Sequence, residues 1–216
     1  MKKETTKEKM LDAAIRLFHT QGYAGTSVRD IAQKANVNVA LISYHFGGKK
    51  GLYEQLIIQF FEDYLHILES ELQKESESLK DLLLQVIRAL LEYQSKQYLV
   101  ARMVHREMTL DSVLVRELMS TYLRKEKHEF EQLIKRGMTG GEFQRQPVDY
   151  VIIHLRTMIT MPYLSPHYLR ELYQLSSNEP YFIDRYMEHL TRWVHTWLCG
   201  EVKSQPYQSS LSAQLI

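Results

Sequence analysis

Apolar residues recur at helical spacing along almost the whole chain. Thr5 and Glu8 have the types and spacing of a capping box ahead of Leu11, Ala14, Ile15 and Phe18, and Gly22 is expected to stop that first helix. Thr26 and Ser27 are cap-type residues, and Val28, Ile31, Ala32 and Ala35 then give a second, short helix one buried face. Asn36 suits a left-handed turn, and Asn38 caps a third helix over residues 39–46. Leu52, Leu56, Phe60 and Tyr64 mark a long fourth helix. After a polar stretch, Ser78 opens a helix through Leu82, Leu83, Val86, Leu90 and Tyr93, and a short helix is expected around 100–108. Asp111 or Ser112 opens a long one through Leu118, Tyr122, Phe130, Leu133 and Ile134 to Gly137. Pro147 fits a first helical position, with segment 148–161 ending at Pro162. Ser165-Pro166 starts a short helix, and Asn178 ahead of Pro180 starts the last one, to about Cys199. No stretch alternates with period two for long enough to make a strand, so the pattern predicts an all-α protein.

The third helix has an unusual outer face. Ile42 and Phe46 point to one side, with Leu41 and His45 at its border, while Val39, Ala40, Ser43 and Tyr44 occupy the other. An ordinary surface helix would place Lys, Glu or Gln there. Short side chains instead let a helix approach base edges in a DNA major groove. Val39 and Ala40 can touch thymine methyls, and Ser43 can bond a base edge or a phosphate. Tyr44 and His45 offer donors to phosphates, and Lys49 and Lys50 sit at the start of the next helix, whose N-terminus also favours an anion. Residues 1–50 hold nine Lys or Arg against four acids, a net of +5; the whole chain is +1, so residues 51–216 carry −4. A basic head on an acidic body is the distribution expected of a nucleic-acid reader. Each residue also has a plainer reading: Tyr44 and His45 as core packing, Arg29, Lys49 and Lys50 as solvated charges.

The span from Thr5 to about Leu56 resembles the N-terminal DNA-binding domain of TetR-type regulators. The resemblance rests on the opening amphipathic helix, Gly22-Tyr23-x-Gly25-Thr26, Arg29-x-Ile31-Ala32, and Tyr44-His45-Phe46 followed by Lys49. It implies a helix-turn-helix domain over residues 1–50 and a larger helical dimerisation and regulatory domain over 51–200. It implies that Ser27, Tyr44, His45 and Lys49 hold phosphates, a role that Lys50 shares by its position, while Arg29, Val39, Ala40 and Ser43 face bases of a palindromic double-stranded site. Ser43 stands where the family usually has an aromatic residue. In that family the last two long helices pair across a two-fold axis, so segments 148–161 and 181–199, with Leu190, Trp193, Val194 and Trp197, are expected to form a homodimer interface.

A narrower resemblance, to the RefZ subgroup of spore-forming bacteria, covers nearly the whole chain except its tail. It rests on Ala35-Asn36-Val37-Asn38-Val39-Ala40 with Ile42-Ser43-Tyr44, Arg106-Glu107-x-Thr109-x-Asp111-Ser112, Met119-Ser120-Thr121-Tyr122-Leu123, Met161-Pro162-Tyr163-Leu164-x-Pro166 and Asn178-Glu179-Pro180-Tyr181-Phe182. That subgroup implies roles in chromosome positioning and cell division during sporulation, with the division protein FtsZ as a partner. Arg102, Arg106, Glu107, Arg116 and Glu117 are the charged candidates for such a surface.

Other chemistries find little support. Gly47-Gly48-Lys49-Lys50-Gly51 lacks the spacing and preceding strand of a phosphate loop. His128-Glu129 is followed by Gln132 rather than the second His of a zinc-protease helix, and His195 with Cys199 supplies only two ligands, so neither an enzyme, a metal nor a cofactor is expected. The single cysteine fits a reducing compartment, and no signal peptide or membrane span is legible, so the expected location is cytoplasmic and nucleoid-associated. Residues 201–216, rich in Ser and Gln, are expected to be disordered. Met103, Met119, Tyr122, Met158 and Tyr163 could line a ligand pocket, although such residues also make ordinary core. Three functions stay open: a RefZ-like DNA-binding regulator, a ligand-responsive transcriptional repressor, and a helical protein-interaction module without DNA binding.

Overall fold

The computed structural model describes residues 5–110 and 112–201; Asp111 and the expected disordered tail beyond Glu201 lie outside the described residues. All regular elements among them are helical: α1 (Thr6–Gly25), α2 (Val28–Ala35), α3 (Val39–Phe46), α4 (Lys49–Leu72), α5 (Leu79–Lys96), α6 (Tyr98–Glu107), α7 (Val113–Leu118), α8 (Arg124–Gly140), α9 (Val148–Leu164), α10 (Pro166–Tyr173) and α11 (Pro180–Trp193). Two wider π-helical turns, Met119–Leu123 and Val194–Leu198, join α7 to α8 and extend α11.

The first three helices pack around Met10, Ala14, Phe18, Ile31 and Ile42, all fully buried, with the start of α4 closing the cluster through Leu52. Local chemistry fixes each end. Thr5 and Glu8 form the capping box of α1, and Gly22, at φ +74°, breaks the helical run. The turn beyond it is tied by Thr26 Oγ1 donating to Gly22 O at 2.8 Å. Ser27 and Asp30 form a second capping box at α2, Asn36 takes the left-handed conformation at its end, and Asn38 Oδ1 accepts from Ala40 N–H at 2.9 Å to start α3.

α4 runs unbroken from the head into the body, across the boundary expected near residue 50. It buries Leu56, Ile57, Phe60, Phe61, Tyr64, Leu65 and Leu68 against the remaining helices. A polar knot sits inside this body. Tyr64 OH donates to Glu126 Oε1 at 2.8 Å, Arg156 pairs with the other carboxylate oxygen, and His105 and Gln94 bond each other nearby. Burial, followed by the charge on Arg156, pushes the His105 pKa down to about 3, which keeps its ring neutral.

Two helix ends differ from the sequence pattern. α8 continues past Gly137 to Gly140 and stops at Gly141, which takes φ +79°. Gly137 serves packing instead: a Cβ there would lie 2.1 Å from the Phe143 ring. α9 runs through Pro162 to Leu164. Proline cannot donate to the carbonyl of Met158, but Tyr186 OH does so from α11 at 2.9 Å. A tertiary contact thus supplies the bond that the proline removes.

Candidate nucleic-acid interface

The outer face of α3 is open to solvent. Val39, Ala40, Ser43, Tyr44 and His45 are all exposed, Tyr44 to 81%, while Ile42 and Phe46 anchor the inner face. The Tyr44 and His45 rings meet edge to face at 5.0 Å, and both side chains are exposed rather than buried in the three-helix core. Arg29 is exposed in the first turn of α2. Ser27 Oγ accepts from Asp30 N–H at 3.2 Å, and the Ser27 N–H donates to Asp30 Oδ2 at 2.9 Å. The hydroxyl proton of Ser27 is left to donate outward.

The glycine string after α3 is a device of backbone geometry. Gly47 and Gly48 take φ +69° and +104°, conformations that side chains disfavour. At Gly51 a Cβ would fall 1.9 Å from the carbonyl oxygen of Phe46, so the start of α4 lies directly on the end of α3 and sets its pitch.

The two lysines divide. Lys50 is exposed, with Glu54 3.5 Å away. Lys49 donates to Tyr23 O and Thr26 O, both at 2.9 Å, and its ammonium sits 4.2 Å over the Tyr23 ring. Two of its three N–H donors are thereby committed to clamping the α1–α2 turn onto α4, leaving one. No local pattern could announce this, because its partners lie 23 and 26 residues away in the chain. Asp30 was legible, since Ser27-x-x-Asp30 has capping-box spacing.

The other expected sites scatter. Met103 and Tyr163 are sealed in the core, Met119 is exposed, and Tyr122 and Met158 are half-buried. The Tyr163 hydroxyl donates to Leu91 O and the Tyr122 ring stacks on Phe61. Clefts of about 620 and 680 Å³ are lined by other residues. Helical spacing supplied these five to the body, but it could not say which of them face one another. Of the four expected interface residues, Leu190 and Val194 are buried within the protomer as part of its hydrophobic core. Trp193 and Trp197 stack on each other at 4.6 Å, half-exposed, with His154 edge-on to both. Beside them the outer face of α9 carries exposed Tyr150 and Ile153. Among the described residues no cluster suited to a metal occurs, and no helix is long and apolar enough to cross a membrane.

A capped two-helix unit presenting an uncharged, solvent-facing second helix on a three-helix core is the head of a helix-turn-helix protein. Comparison with known proteins agrees with this class. The pattern of bacterial regulatory proteins of the tetR family matches residues 10–56. The "Probable HTH-type transcriptional regulator YttP" of Bacillus subtilis is 42% identical over 195 residues, covering 90% of this chain and 94% of that protein. The biofilm operon negative regulator IcaR of Staphylococcus aureus is 47% identical over 60 residues, 28% of this chain and 32% of its own. The crystal structure of the TetR family regulator PfmR from Thermus thermophilus shares the fold, with a TM-score of 0.71 at 18% identity over 86% of this chain and 96% of that one. The chain belongs to the tetR family of bacterial transcriptional regulators.

Proposed function

We propose that the protein is a homodimeric regulator that reads a palindromic DNA site with α3, and that its role is of the RefZ type, in chromosome positioning and division. The observation that carries DNA reading is the outer face of α3, exposed and uncharged on a head whose cations flank it. Val39, Ala40, Ser43 and Arg29 face bases in this reading. Ser27, Tyr44, His45 and Lys50 hold phosphates, and Lys49 chiefly positions the turn that presents them. Lys50→Ala should weaken binding to all sequences alike and lower the salt slope by about 1 per protomer. An unchanged slope in titrations across salt would remove Lys50 from the phosphate contacts.

A palindrome demands two reading heads held about one DNA turn apart, roughly 34–36 Å. The outer face of α9 with the Trp193–Trp197 stack is the apolar surface proposed to pair two protomers. Ile153→Glu should convert the dimer to monomer in sedimentation while leaving helicity unchanged, because Ile153 is exposed within one protomer. An intact dimer in that variant would place the two-fold axis elsewhere.

The RefZ-type reading rests on the resemblance of the strings along the body. The ligand-responsive repressor is the second reading. It draws on the cleft of about 680 Å³ between head and body, where Tyr23, Tyr53, Leu110 and Val113 meet Arg106 and Glu117. Genome-wide footprinting distinguishes them: occupied palindromes distributed around the chromosome support the division role, and one site beside a metabolic or efflux gene supports the repressor. A mobility shift with no complex on any genomic fragment would leave a protein-interaction module. Contact with FtsZ belongs to the RefZ-type reading, and co-sedimentation with FtsZ polymers tests it.

A further inference from the structure

Where α1, α6 and α10 meet, four nitrogen-bearing side chains converge. Arg102 Nη1 lies 3.4 Å from His19 Nε2, and Arg102 Nη2 lies 3.4 Å from His167 Nε2. Arg170 Nη2 approaches the other ring nitrogen of His167, Nδ1, at 3.0 Å, while Arg170 Nε donates to the adjacent Glu171.

The donors and acceptors do not balance. A neutral imidazole has one N–H and one lone pair, yet guanidinium groups approach both nitrogens of His167. The shorter contact makes Nδ1 the acceptor for Arg170. Nε2 then carries the hydrogen and meets Arg102 Nη2, donor against donor. Arg102 Nε is also buried with no hydrogen-bond partner. In a guanidinium, Nε–H and one N–H of Nη2 share an edge, the edge on which a carboxylate or phosphate forms two parallel bonds. Arg102 Nε–H thus lacks any acceptor, and beside it Arg102 Nη2 and His167 Nε2 have only each other to face. They lie beside a small, partly open cleft of about 30 Å³ completed by Tyr98, Ser176 and Asn178, which admits about one water-sized group, such as a single oxygen of an anion seated at its mouth, and no bulky apolar ligand. A buried donor without an acceptor keeps its desolvation cost, so native structures seldom leave one without a reason. His19 adds a consistent sign: burial lowers its pKa first, and the charges of Arg102 and Arg106 lower it further.

We propose that this cleft binds an oxyanion group, phosphate or carboxylate, on the Nε/Nη2 edge of Arg102 with His167 Nε2 as a third donor. The cleft is lined by the body, and Arg102 links it to the head through the contact of its Nη1 with His19. His19 belongs to α1 of the head, and one turn along α6 Arg106 Nη2 donates to Phe18 O of the same helix at 3.0 Å. An anion there would fasten α1 to α6 and α10, giving a small molecule a grip on the orientation of the head.

The test uses the full chain, titrated by calorimetry and thermal denaturation with sodium phosphate and with sodium acetate at constant ionic strength, sodium chloride being the control. A saturable, single-site stabilisation is expected in the native protein, weakened at least tenfold in Arg102→Gln and in His167→Ala. His167 is exposed, so its variant folds and decides the matter even if Arg102→Gln does not. By NMR, the His19 titration midpoint should rise when the anion binds. A response to phosphate alone assigns a phosphate group, to acetate alone a carboxylate, and to both the shared chemistry. An equal response to chloride, or an unchanged response in His167→Ala, overturns the site. So does a response lost in Lys50→Ala instead, which would put the anion on the DNA face.

Discussion

Ala40→Glu is expected to abolish DNA binding while leaving the protein folded and dimeric. Ala40 is exposed in the first turn of α3, and its N–H is held by Asn38 Oδ1. A glutamate at that place suits the helix itself, because a negative charge near a helix N-terminus is favourable. The damage falls entirely on the complex. The added carboxylate would confront phosphates and base edges at close range, where the small side chain had allowed the helix to approach. A loss of at least about 100-fold, close to 2.7 kcal/mol, should appear in a mobility shift, with circular dichroism and sedimentation unchanged. Retained affinity would show that the outer face of α3 is not the reading surface.

Arg156→Met should produce the largest loss of stability of any single change in the body. Glu126 is 3% exposed, and its carboxylate is answered by Arg156 and by the Tyr64 hydroxyl. Removing the guanidinium leaves a buried charge with one neutral donor. Breaking such a pair costs about 3–5 kcal/mol, which for a chain of this size means a Tm lower by roughly 6–20 °C. Arg156→Met with Glu126→Leu should recover most of the loss, because an apolar pair removes both the charge and its desolvation penalty. Denaturant unfolding of both variants checks this. A single variant within about 1 kcal/mol of the native protein would mean that solvent already reaches Glu126.

Much of the head is legible in the order of its residues. Capping boxes, the left-handed Asn36 and the apolar faces of α1–α3 are local features, written within three or four residues, and they specify the three-helix unit almost completely. The exposed outer face of α3 follows from the same periodicity, because the positions that do not pack are the ones left to solvent. Lys49 shows where this stops. Its position ahead of α4 suggests a free cation, and its ammonium instead spans to Tyr23 and Thr26. The body is legible as helices and poorly legible as contacts. Leu190 and Val194 share a helix with Trp193 and Trp197, yet two turn inward and two outward. Met103 and Met119 are equally apolar in the sequence, and one is buried while the other is exposed.

The sequence by itself determined that the chain is helical, where most helices begin, and that one short helix keeps its outer face free of charge. Those properties depend on backbone capping and on a period of 3.6 residues, both of which act over a few neighbours. The tertiary structure decided which ends were overridden, as at Pro162, where Tyr186 replaces a missing donor, and at Gly137, where a ring leaves no room for a side chain. It also decided which distant charges meet, at Glu126 with Arg156 and at Arg102 with two histidines. Such pairings join residues far apart in the chain, and their energies depend on burial and on donor geometry, which only the packed molecule defines.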